Sequence, residues 1–318
     1  MAFNNDTLVL PAAFAKLHPW YYTPAESLFP GVPDEYTALA APFVAYWVAS
    51  GVFHVFDTSN WKWLDSHRIH DSAEVASRNL ATRAQVVRAV LFQQVLQTIL
   101  GVLWLSDTEH TVDVMADMST LALRISRVAQ WILGPSRAHA VLKAAGPGLV
   151  YYAYWWFIPI IQLFIAMFVM DTWQYFLHRL MHVNKFMYKH LHSVHHRLYV
   201  PYAFGALYNH PLEGFILDSL GAVLSESCSG MTVRQSAFFF AFSSSKTVDD
   251  HCGYRLPWDP LQLISGNTAD YHDIHHQIIG IKSNFSQPFF VHWDVILGTR
   301  MTRKDIEERR SKVHAKKS

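Results

Sequence analysis

Three short segments of this chain, His178-x3-His182, His192-x2-His195-His196 and His272-x2-His275-His276, hold eight histidines at helical spacing. They constrain the fold because residues three and four apart share one face of a helix, so each segment aims two imidazoles at one point. Neighbours such as His195 and His196 diverge by roughly 100° around a helix axis and serve two ions more easily than one. Imidazole is the commonest metal-donating side chain near neutral pH, and eight of them exceed a four-coordinate shell twofold. The spacing therefore predicts helical segments, distant in sequence, folded together around two metal ions. His251 and His210 are further candidate ligands. His190 projects away from His192 and is assigned a structural place, as are the isolated His18, His54, His67, His70, His110, His139, His292 and His314.

Thiolates cannot share the task, since Cys228 and Cys252 are the chain's two cysteines and form no CxxC pair. Metal-bound histidines commonly donate their second N–H to a carboxylate. Asp171, two helical turns before His178, and Asp250 are the foremost candidates for that support, with Asp249, Asp270 and Asp273 beside them. Imidazole suits zinc, copper, iron and nickel alike, so the donor set leaves the metal open.

The second constraint is apolar length. Hydrophobic residues make up 51% of the chain and charged residues 16%, which is unusual for a soluble enzyme. Residues 38–56, 86–105 and 147–170 reach the ~20 residues needed to cross a bilayer. The middle run carries Arg88, Gln93, Gln94 and Gln97 and suits a place against protein; Tyr151, Tyr152, Tyr154, Trp155 and Trp156 crowd the start of the third like an interfacial belt. Two shorter runs, 212–224 and 231–245, predict a helical hairpin around Ser229 and Gly230. That hairpin returns the third cluster to the side of the first two. Residues 1–37 hold one basic residue, Lys16, and residues 300–318 hold eight, so the histidine side is expected in the cytosol. Asn5-Asp6-Thr7 is a glycosylation sequon on the opposite side. A formal net charge of +1 gives no sign of nucleic-acid binding.

The expected fold is thus all-α: an integral membrane helical protein with a cytosol-facing, histidine-rich di-metal domain. Residues 1–146 form a membrane-anchoring region with one or two spanning helices, residues 147–300 the catalytic domain, and residues 301–318 a basic cytosolic tail.

The words Asp171-Thr-Trp-Gln-Tyr-Phe-Leu-His178-Arg-Leu-Met-His182, His192-Ser-Val-His195-His196, Lys246-Thr-Val-Asp-Asp-His251 and Tyr271-His-Asp-Ile-His-His276 resemble the fatty acid hydroxylase/sterol desaturase superfamily. Pro201-Tyr-Ala-Phe-Gly-Ala-Leu-Tyr-Asn209 and Asn284-Phe-Ser-Gln-Pro-Phe-Phe290 narrow the resemblance to the sphingoid base C4-hydroxylases of fungi and plants. The resemblance implies a multi-pass di-iron monooxygenase of the endoplasmic reticulum that converts sphinganine, free or within dihydroceramide, to phytosphingosine with O2. It implies electrons from NAD(P)H through a reductase and cytochrome b5, and two iron ions that zinc can displace during preparation. The eight clustered histidines match the family's three boxes and His251 a shared motif, whereas His210 falls outside that pattern. An oligomer is compatible with the sequence. Sterol desaturation, C4-methyl oxidation and fatty acyl 2-hydroxylation are the alternatives within the superfamily; a zinc transporter and a non-catalytic scaffold are the alternatives outside it.

Overall fold

The computed structural model describes residues 3–4, 7–8, 10–11, 14, 16–104 and 113–315. Asn5 and Asp6 of the sequon, His110 and the His314 side chain lie outside the described residues. Helices dominate: α1 (Asp34–Thr58), α2 (Arg83–Trp104), α3 (Val114–Leu133), α4 (Pro135–Tyr152), α5 (Ile158–Val183), α6 (Lys185–His190), α7 (Leu220–Ser229), α8 (Val233–Asp250), α9 (Ala269–His276) and α10 (Arg303–Ala315). The described strands are a two-residue antiparallel pair, Phe3–Asn4 with Thr7–Leu8.

Two units form, interleaved along the chain. The first, residues 1–28 and 106–164, is built on α3 and α4. Asp113 starts α3 by accepting from the Ala116 N–H at 3.0 Å, satisfying one of the donors that a helix start leaves free. Gly134, at φ +78°, lets the chain turn directly into Pro135 at the first position of α4. Met118 and Ala122, one turn apart, join Leu8, Leu10, Val150 and Trp155 in this unit's core.

The second unit, residues 29–105 and 165–318, carries every clustered histidine. Helix α1 lies along α8, fastened by Ser244 Oγ on the Pro42 carbonyl at 2.9 Å and by an Arg234–Asp34 ion pair at 2.5 Å. Tyr46 and Phe53 of α1, Val86 and Val90 of α2, and Val248 of α8 close around Leu198, Tyr202, Tyr208 and Tyr254. Helices stand on either side of Ser229 and Gly230: α7 ends at Gly230, whose φ of 64° is the left-handed helix stop that glycine adopts without strain, and Thr232 with Gln235 boxes the start of α8.

Three helical stretches are long and apolar enough to cross a membrane: Asp34–Thr58, Arg83–Leu103 and Pro135–Val183, with 11%, 22% and 17% of their apolar windows buried within the protein. Val44, Val48, Val52 and Val55 form an exposed stripe along α1, and Phe92, Val95 and Ile99 do the same on α2. Apolar side chains facing outward over that length belong against lipid, not water. The glutamines of α2 face protein: Gln93 and Gln94 are buried, and the Trp47 indole N–H donates to Gln94 Oε1 at 2.9 Å.

Candidate metal centre

Local sequence sets the position of each imidazole. Helix α5 runs unbroken to Val183, so His178 and His182 stand one turn apart on its inward face. Asn184 caps α6 by accepting from the Phe186 and Met187 N–H groups, which turns the chain back toward α5. His192–Arg197 is a 3₁₀ turn, His251 terminates α8, and α9 is started by the Thr268 hydroxyl accepting from the Tyr271 N–H at 3.2 Å.

Nine imidazoles converge in two groups, His178, His182, His192, His196 and His275 in one, and His195, His251, His272 and His276 in the other. Within each group the donor atoms lie within 4.8 Å of one another. Adjacent residues separate, His195 from His196 and His275 from His276, while each i, i+4 pair stays together. His251 joins the second group. His210 joins neither: its Nδ1 accepts from the Leu212 N–H at 3.2 Å and starts the short helix Pro211–Gly214, so the expected ligand is a helix cap.

The hydrogen bonds show which nitrogens are free to bind a cation. A carbonyl oxygen can only accept, so an imidazole nitrogen facing one carries the proton and the other nitrogen is a bare lone pair. Nδ1 of His178 donates to the Phe285 carbonyl at 2.8 Å, that of His195 to Tyr208 at 3.3 Å, and that of His251 to Thr247 at 2.8 Å. Nδ1 of His275 donates to Ser283 at 2.7 Å and that of His276 to Leu198 at 2.8 Å. Nδ1 of His192 donates to Glu213 Oε1 at 2.5 Å. The opposite nitrogens then meet head-on, His178 Nε2 and His192 Nε2 at 3.0 Å and His195 Nε2 and His251 Nε2 at 3.4 Å. Lone pairs at that distance repel unless a cation sits between them. Ligands about 2.0–2.1 Å from one ion stand roughly 3 Å apart, so the residues fit a metal in each group.

Electrostatics agree. Burial, followed by repulsion from neighbouring imidazoles, holds His192, His195, His196 and His272 well below the ordinary histidine range, and burial does the same to His275 and His276. Burial pulls His251 down to about 4. All seven are therefore neutral at physiological pH, the form that binds metal.

The supporting carboxylates are different from those expected. Asp171 accepts from the Phe289 and Phe290 N–H groups, at 3.0 and 2.5 Å, and touches no clustered imidazole. Asp250 pairs with Lys246 and accepts from Asn267 Nδ2 at 3.0 Å, tying α8 to the loop before α9. Asp249 accepts from Gln262, Asp270 pairs with Arg255 and Arg303, and Asp273 with His70 and Arg303. Among the described residues the carboxylate that holds a clustered imidazole is Glu213, which sequence reasoning missed; its signal was an acid at the edge of an apolar run. Asp294 was missed too. Fully buried, it accepts from the Phe285 and Ser286 N–H groups at 3.0 and 2.7 Å, the Tyr271 hydroxyl at 2.8 Å and the Thr299 hydroxyl at 2.6 Å, fixing the loop whose Phe285 carbonyl orients His178.

The fatty acid hydroxylase family model matches residues 163–299, the span that contains both imidazole groups. Over 98% of its length the chain is 44% identical to the sphingolipid C4-hydroxylase of Saccharomyces cerevisiae, covering 84% of that protein. The chain belongs to the fatty acid hydroxylase family. Another relative in the family, sphinganine C4-monooxygenase 2 of Arabidopsis thaliana, is 43% identical over 84% of this chain and 88% of its own. A protein of Oryza sativa subsp. indica named very-long-chain aldehyde decarbonylase is 43% identical over 85% of this chain and 90% of its own. No solved structure matches this family member.

Proposed function

We propose that this chain is a sphingoid base C4-monooxygenase of the endoplasmic reticulum membrane, hydroxylating sphinganine or dihydroceramide with O2. The observation that carries the reading is the pair of converging lone-pair clusters at the end of an apolar span; the names of the yeast and Arabidopsis relatives supply the substrate. The five imidazoles of the first group and the four of the second would hold two iron ions, which supply the oxidising power that an unactivated methylene demands and no acid or base provides. The chain's own residues hold and orient. Glu213 and the carbonyls of Phe285, Tyr208, Thr247, Ser283 and Leu198 fix the tautomer of six of the nine imidazoles, so that their Nε2 atoms point inward. The Phe285 ring, buried against His178, His182 and His275, excludes water from the first group.

We further assign the histidine face to the cytosol, on the basic tail, with NAD(P)H electrons delivered through a reductase and cytochrome b5. The test is expression in a cell that lacks C4-hydroxylation of sphingoid bases, with mass spectrometry of its lipids. Phytosphingosine appears with the intact chain and disappears with His195→Ala, while the variant stays in the membrane. Full turnover by that variant would refute the assignment. The rice relative's name raises one alternative: an alkane formed from a long-chain aldehyde, with no phytosphingosine, would move the chain there.

A further inference from the structure

One buried polar cluster has no use in holding metal. Gln97 Nε2 on α2 donates to the Gly214 carbonyl and to Ser219 Oγ, both at 3.2 Å, and Gln174 Nε2 on α5 lies 3.4 Å from Asp218 Oδ1. The Gln93 amide rests against Gly214, where an added Cβ would stand 2.3 Å from Nε2. Asp218 and Ser219 belong to the π-helical turn Phe215–Ser219, a rare geometry that concentrates at functional sites. That turn directly follows Glu213 and Gly214, so the cluster borders the imidazole group containing His192.

Two of these groups are incomplete, and so is Glu213 beside them. Gln93 is 1% exposed, yet neither its oxygen nor its nitrogen has a hydrogen-bond partner. Asp218 Oδ2 and Glu213 Oε2 are likewise buried and unpartnered. Among the described residues no lysine or arginine pairs with Asp218, whose partner is the Gln174 amide. Buried polar atoms in native proteins are nearly always satisfied, and a buried carboxylate calls for a cation. Here the chain supplies neither.

We propose that this cluster is the head-group subsite for the lipid, with Asp218 receiving a primary ammonium and the Gln93 amide a neighbouring hydroxyl. The inference rests on the sphingoid reading above and names the part of the substrate that is recognised. A 2-amino-1,3-diol brings one positive charge and two hydroxyls, the complement of one carboxylate and an open carboxamide. A phosphate head would bring no cation to Asp218, and a sterol hydroxyl would likewise leave the carboxylate without a counter-charge. Since C4 is bonded to the carbon bearing the second hydroxyl, gripping the amine and that hydroxyl holds C4 one bond beyond the anchor, on the His192 side. N-acylation abolishes the positive charge, so the free base is preferred over the ceramide.

The experiment measures equilibrium binding of sphinganine and of N-acetylsphinganine to the full-length protein in lipid nanodiscs, alongside the turnover ratio for the two in membranes. The intact chain prefers sphinganine. Asp218→Asn lowers that preference by about tenfold or more, the loss expected for one partner of a desolvated charge pair, and Asp218→Glu retains most of it. Gln93→Leu weakens sphinganine binding severalfold while leaving or raising thermal stability, because the amide has no internal partner to lose. If the cluster merely joins helices, Asp218→Asn changes both ligands equally or neither, and Gln93→Leu lowers stability without touching binding; either result overturns the subsite. Should Asp218→Asn not accumulate, Gln93→Leu decides alone. An intact chain that hydroxylates sphingoid bases while Asp218→Asn keeps its preference sinks the subsite only, whereas an intact chain making no such product sinks the parent reading and the subsite with it.

Discussion

A histidine becomes a metal ligand through what its second nitrogen does, and this separates His192 from His210. His192 gives its Nδ1 proton to Glu213 and turns a bare Nε2 toward three other imidazoles, while His210 uses Nδ1 as an acceptor at a helix start. Removing the carboxylate, as in Glu213→Leu, frees the ring to rotate and lowers metal affinity by about 10–100-fold, the usual cost of losing such a support. His210→Ala loses only a cap, about 1 kcal/mol of stability, and keeps its metal. Elemental analysis of both purified variants checks the pair; equal metal loss would show that His210 was misassigned. The sequence made eight of the nine imidazoles readable because i, i+3 and i, i+4 spacing encodes a shared face within one short word. It could not show Glu213, which meets His192 across 21 positions, nor the carbonyls of Phe285 and Leu198, which any residue type would present.

At the scale of elements, the segment from Asn284 to Met301 is a brace for α5 and α9, and Asp294 is its hub. Asp294→Ala strands two buried N–H groups and two hydroxyls, so the protein should lose on the order of 3 kcal/mol, and more if none finds water. Thermal unfolding of the detergent-solubilised protein measures this, and an unchanged midpoint would contradict it. Asp294 lies 18 positions beyond His276, outside any histidine word, and so gave no local signal. The opposite error arose at Asp171 and Asp250. Both sit near histidines in sequence, but one holds the Phe289 and Phe290 backbone and the other Lys246 and Asn267, because proximity along a helix does not determine which face a short carboxylate meets. Apolar spans were readable throughout, since hydropathy is a local sum; the 3₁₀ geometry of His192–Arg197 was not, since it depends on the turn imposed by Asn184 and α6.

At the scale of the whole molecule, the centre is a pool of buried neutral bases, and this fixes how the protein responds to acid. Folded-state pKa values lie below the unfolded value of 6.5, so the unfolded chain binds more protons as pH falls, and stability present above about 6.5 is lost on acidification, for His251 down to about 4. Protons also compete with metal for the same nitrogens. Metal content and unfolding midpoint should therefore decline together below about pH 6.5, and an apo protein equally stable across that window would contradict the burial described here. The interleaving of the two units was invisible along the chain, because the contacts that join residues 1–28 to 106–164 are non-local. Helix α5 carries the largest consequence. One helix presents Phe168 and Phe176 outward and carries His178 and His182 near its end. Each added residue would lift the imidazoles by 1.5 Å and swing them by about 100°. Under the proposed function the helix would thus act as a depth gauge: its length would set the level at which an acyl chain lying in the leaflet meets the reactive face, and so which carbon is reached.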